Sequence, residues 1–145
     1  MKVMVMVKAT ANSEAGALPS AELIEAMSKF NDELVAAGVM LAGDGLTPSR
    51  LGKRVRFSSD GTERQILDGP FTETRELVAG FWMWEVKSMD EALEWARRCP
   101  APMPGEECDL ELRPVVGLED FGDVVTPEML EREAKQRAAL AAKGA

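Results

Sequence analysis

The chain has 145 residues, with 17 basic against 25 acidic side chains, a net charge of −8 and no histidine. That length suits one compact domain, with or without a tail, that buries a core without disulfides or metal. The acidic balance opposes nucleic-acid phosphates and anionic membrane surfaces. The missing histidine removes Ser–His and Cys–His catalysis and every histidine-based metal site.

Residues 2–8 are Val-rich between Lys2 and Lys8 and predict a strand. The apolar run from Val3 to Val7 is too short for a signal peptide, and no other stretch suits a membrane span, so a cytoplasmic protein is expected. Residues 9–18 are small and polar, a loop. A helix then starts at Pro19-Ser20, with Leu23, Met27, Phe30 and Leu34 in one apolar stripe and Gly38 as its stop. Val39 to Leu46 predicts a second strand, and Thr47-Pro48-Ser49 a turn. Val55 and Phe57 alternate with Arg54 and Arg56 in a half-exposed strand, which the Asp60-Gly61 turn joins to a partner at 64–67. The run "DGPFTETRE", 68–76, leads into a strand from Leu77 to Val86. Ser88 and Glu91 form a capping box for a helix that turns Ala92, Trp95, Ala96 and Cys99 inward and stops at Pro100. A Pro/Gly loop at 101–106 precedes the last core strand, 108–116, with Leu110 and Leu112 on one face. A final helix starts at Thr126-Pro127. The order is that of an α+β, ferredoxin-like split βαβ fold with an inserted β-hairpin.

The 2–8 and 77–86 strands are apolar on both faces, whereas a sheet wetted on one side alternates apolar with polar residues. Two helices cover one face only. The other face, assigned here to the tryptophans, therefore needs a second layer. A homodimer with two sheets face to face, closed like a barrel, supplies it; the alternative is the C-terminal helix folded back. Cys99 and Cys108 lack metal-ligand spacing and are expected as reduced thiols. No cofactor is expected, and no metal beyond a carboxylate site for Mg²⁺ or Ca²⁺.

The segments "LAGDGLTPS", "LDGPFTETRELVAGFWMWEV" and "LELRPV" resemble the YCII-related, DGPF-domain family over roughly residues 1–122, with 123–145 as a helical extension. The resemblance implies a bacterial protein, a dimeric α/β-barrel, and often a gene beside an ECF-type sigma factor. Some relatives in the broader group are thought to use a His–Asp pair, and one removes HCl from chlorinated aromatics. Where that histidine would stand, early in the first helix, this chain has Glu22.

The candidate catalytic residues are Asp68 and Glu73, carboxylates placed for acid–base work on a turn braced by Pro70 and Phe71, with Phe71 expected to plug the core. Candidate ligand-binding residues are Glu22, Asp44, Arg56, Glu76 and Arg113, with Arg54 as a further partner for an anion. Two functions stay open. One is a small dimeric protein that binds a small organic acid or aromatic molecule in a barrel cavity, with proton-transfer or elimination chemistry. The other is a non-catalytic regulatory or protein-interaction module.

Overall fold

Val3, Val5 and Val7 alternate with Met4 and Met6 along β1 (Lys2–Lys8), and the alternation separates a fully covered face from a half-covered one. The computed structural model describes residues 1–144. It divides into two units, Met1–Pro114 and a second from Val115 onward.

In the first unit an open antiparallel sheet has the order β2-β5-β1-β6, built from β2 (Met40–Gly45), β5 (Val78–Glu85), β1 and β6 (Leu110–Pro114). β1 and β5 lie at the centre. Val3 pairs with Trp84 and Val5 with Trp82, so valines and tryptophans share one face. Phe30 and Leu34 of α2 (Ala21–Ala36) and Ala92 of α3 (Met89–Arg98) pack on that face and complete the core. Phe30 stands edge-on to Trp82 and Trp84, with ring centroids 5.9 and 6.4 Å apart. Leu110 and Leu112 join from β6, as their alternation predicts.

The structure corrects the tryptophan assignment. Trp82 and Trp84 lie beneath the helices, and the opposite face carries Met4, Met6, Phe81 and Met83, all half-buried. Glu111 and Arg113 flank that face from β6. Within this chain the sheet ends at two edges, β2 and β6, so the described residues form no closed barrel.

The helix boundaries follow their caps. Ser20 Oγ accepts from Leu23 N–H at 3.1 Å, and Gly38, with φ +72, ends α2 in a conformation that L side chains disfavour. Ser88 Oγ accepts from Glu91 N–H at 3.2 Å, but Glu91 Oε2 reaches one residue further back than a capping box predicts, to Lys87 N–H at 2.6 Å. The expected 9–18 loop contains a short helix, α1 (Ala11–Glu14). Thr10 and Ser13 cap each other there, and Glu106 Oε1 accepts from Thr10 Oγ1 at 2.7 Å.

β3 (Lys53–Phe57) and β4 (Arg64–Asp68) form a separate two-stranded sheet. Every residue of β3 is exposed, more than the half-exposure expected, because the hairpin does not join the main sheet. At its tip the Thr62 N–H and the Ser58 and Thr62 hydroxyls converge on Asp60 and lower its carboxyl to about 2.

The second unit holds a kinked 3₁₀ segment, Leu118–Val124, and α4 (Pro127–Gly144). Thr126 Oγ1 accepts from Met129 N–H at 3.3 Å, the cap expected at that residue. α4 buries none of its residues and carries the i,i+4 pairs Glu131–Lys135 and Glu133–Arg137. No described helix is long and apolar enough to cross a membrane.

Candidate functional site

Three glycines at one end of the sheet, Gly43, Gly45 and Gly80, make a place where side chains would otherwise stand. A Cβ on Gly43 would lie 2.8 Å from Trp82 Cδ1 and 2.9 Å from Met40 Cε, so the bare backbone leaves room for the indole. Trp82 Nε1 donates to Asn31 Oδ1 at 2.9 Å, which ties the ring to α2. Two residues along β2, a Cβ on Gly45 would meet nothing within 4 Å. That vacancy belongs to a cleft of about 420 Å³ between α2 and the sheet, bordered by Met27, Asn31, Gly45, Gly80, Trp82 and Met103 among others. Its volume falls within the range of small-molecule sites. The walls are apolar or backbone, with Asn31 as the principal polar side chain. Asp44 also borders the cleft, but it pairs with Phe81, so the pleat turns its carboxylate toward the Met4 face.

A smaller pocket of about 90 Å³ shares Ala79 with the cleft. Glu14, at the end of α1, forms part of its wall with Thr47, Ser49 and Leu46. Glu14 Oε2 accepts from Ser49 N–H at 2.7 Å. Its second oxygen, Oε1, is buried and has no hydrogen-bond partner among the described residues.

The "DGPF" run holds this wall from behind. A Cβ on Gly69 would fall 1.7 Å from Ser49 O, so the two backbones touch at a point only glycine permits. Gly69 N–H donates to Gly52 O at 3.0 Å, and Phe71 N–H donates to Ser49 Oγ at 3.0 Å. The Phe71 ring does not plug the core as expected. It is half-buried, outside the core cluster, beneath the Arg54 guanidinium at 3.8 Å. A continuous polar chain therefore runs from Phe71 through Ser49 to Glu14.

The surroundings of both cysteines favour the neutral thiol over the thiolate. Burial, and then Cys108, pushes the Cys99 thiol up to about 11; burial, then Asp109 and Glu106, raises Cys108. Both thiols are free. Among the described residues no group of three or more His, Cys, Asp or Glu side chains is placed to hold a metal ion.

The fold and the glycine-lined cleft belong to a segment that matches a known domain: the sequence pattern of the YCII-related domain covers residues 1–116. The chain belongs to the YCII-related family. It is also similar to an uncharacterized protein of Rhizobium meliloti (strain 1021), 35% identical over 71 residues. That similarity covers 49% of this chain and 56% of the relative, so the chain spans little more than half the length of the curated relative it matches.

Within this YCII-related domain the sequence-predicted residues are scattered. Asp68 ion-pairs with Lys53 across the exposed hairpin. Glu73 is exposed where the 3₁₀ turn Thr74–Glu76 begins, and neither Asp68 nor Glu73 borders the cleft or the small pocket. Glu76 lies in a charged depression with Lys8 and Glu111, where Lys8 Nζ donates to Glu76 O at 3.2 Å. Glu22 is exposed in the first turn of α2, Arg56 is exposed on β3, and Arg113 pairs with Glu111 at 3.4 Å on the edge strand β6. Of the candidates, only Asp44 borders the cleft.

Sequence reasoning missed Asn31, Met103, Glu14 and Ser49. Asn31 left a signal: it is a polar residue four positions after Met27, inside the apolar stripe of α2. Glu14 left none, because an acidic residue in a small polar loop reads as solvated.

Proposed function

We propose that this YCII-related protein binds a small organic molecule with an apolar or aromatic body in the cleft between α2 and the β2–β5 end of the sheet. The observation that carries the reading is the vacancy over Gly45 beside an indole that Asn31 holds in place. A fixed aromatic wall and an absent side chain form a preorganised surface, which lowers the ordering cost of binding. The test is a thermal-shift screen of small aromatic fragments on the wild type and Gly45→Leu. Compounds that bind the folded state raise its midpoint by mass action. The leucine should fill the vacancy without a clash and abolish those shifts while the unliganded midpoint stays close to wild type. Shifts that survive in Gly45→Leu would move the site elsewhere, and a screen with no hits would remove the reading.

The same proposal includes a homodimeric α/β-barrel on a ferredoxin-like base. Its support is the strand order β2-β5-β1-β6 and an apolar sheet face of Met4, Met6, Phe81 and Met83. Sedimentation should give twice the mass of the chain at micromolar concentration. Met6→Asp should give a folded monomer, because it would place an unpaired charge in the interface. A monomeric wild type would end the dimer proposal and leave the cleft intact.

A further inference from the structure

We infer that the molecule bound in the cleft carries a cationic hydrogen-bond donor, a primary ammonium group, and that Glu14 receives it in the small pocket. The inference rests on the cleft reading and specifies the chemistry of its ligand. Three observations carry it.

The first is the state of the Glu14 carboxylate. One oxygen is occupied by Ser49 N–H at 2.7 Å; the other is buried without any partner. A buried acceptor left unpaired is costly, and a charged one more so. Among the described residues nothing supplies the missing donor, and Glu14 takes part in no ion pair.

The second is the space beside it. The pocket that Glu14 borders has about 90 Å³, room for a few waters or for the end of an alkylammonium chain. Two of its hydroxyls are already engaged: Ser13 Oγ donates to Thr10 O at 3.0 Å, and Ser49 Oγ accepts from Phe71 N–H at 3.0 Å. The pocket shares Ala79 with the cleft, which places an apolar body and a polar head in adjoining spaces.

The third is charge. Glu14 is the ionisable side chain of the two spaces, since the Asp44 carboxylate turns toward the Met4 face, and no lysine or arginine borders either. In a chain of net charge −8, such a site repels a carboxylate ligand and favours a cation. The organic acid expected from Arg56 and Arg113 has no counter-ion here, since both arginines lie outside the cleft.

The test uses the full-length protein and three matched series: phenylalkylamines, phenylalkyl alcohols and phenylalkyl carboxylates with one to three methylenes. Affinities are measured by calorimetry for the wild type, Glu14→Gln and Glu107→Gln. The last makes an equal change of net charge at an exposed site. In the wild type an amine should bind at least about tenfold more tightly than its alcohol, the scale of one charge-assisted hydrogen bond, and the carboxylates should bind least. Glu14→Gln should erase the preference for amine over alcohol, whereas Glu107→Gln should keep it. Alcohols that bind as well as amines to the wild type would overturn the inference and leave the cleft reading standing. So would an amine preference that persists in Glu14→Gln. Failure of all three series, together with an empty fragment screen, would remove the cleft reading itself. If Glu14→Gln does not fold, Ser49→Ala serves in its place. It keeps the backbone N–H on Glu14 and should retain the amine preference; loss of that preference in Ser49→Ala with Glu14 intact would also overturn the inference.

Discussion

Gly69→Ala should lower the stability of the protein by about 3 kcal/mol, the upper part of the range for overpacked sites. The new methyl would sit 1.7 Å from Ser49 O and 2.6 Å from Ser49 C, and 3.2 Å from Arg50 Cα. All three neighbours are backbone atoms, so no side chain can rotate away and one of the two strands of chain must move. Movement there would also stretch the Gly69–Gly52 and Phe71–Ser49 hydrogen bonds, both 3.0 Å long. The denaturant midpoint should fall without a change in slope, the sign of altered stability rather than altered cooperativity. A midpoint equal to wild type would mean that the 68–71 turn does not rest on Ser49.

Trp84→Ala should cost more still, about 3–5 kcal/mol, the range for emptying a buried aromatic site. Trp84 is the largest fully buried side chain, packed against Phe30 and Trp82 and paired with Val3 across the centre of the sheet. Trp84→Phe should recover most of that loss. Its ring keeps the aromatic contacts, and it removes the buried Nε1–H, which has no acceptor among the described residues. An unpaired buried donor costs about 1–3 kcal/mol, so its removal offsets part of the lost area. Equilibrium unfolding of both variants checks this. If phenylalanine is as damaging as alanine, the indole N–H has a partner, such as a buried water, and its removal brings no gain.

Much of the fold was legible in the chain. Val3, Val5 and Val7 announced β1, the Leu23–Leu34 stripe announced α2, and Ser88 with Glu91 announced α3, because each pattern follows from local geometry. Which face of β5 lay inward was not legible. Phe81 and Met83 are as apolar as Trp82 and Trp84, so alternation could not choose, and the register that pairs Trp84 with Val3 is set by tertiary packing. The short α1 was hidden because its cap pairs Thr10 with Ser13, two residues that also suit a loop.

The candidate site was less legible, for a related reason. Asp68, Glu73 and Arg56 drew attention as charges beside turns, yet the cleft is defined by what is missing at Gly45 and by a hydrogen bond between Asn31 and Trp82, 51 positions apart. Asp44 was named as a ligand-binding candidate; the polar groups nearer the cleft are Asn31 and Glu14, whose partners are distant in sequence. The DGPF run leaves β4 at Asp68, rests on Ser49 through Gly69 and Phe71, and leaves the Asp68 carboxylate paired with Lys53.

The central claim is that the cleft beside Gly45 is the ligand site. The most direct measurement is a crystal structure of the protein soaked with the fragment that gives the largest thermal shift. The ligand body should lie against Trp82 and Asn31 over Gly45, within the space that a leucine at that position would occupy. Density for the ligand in the charged depression at Lys8 and Glu111, with the cleft empty, would contradict the account.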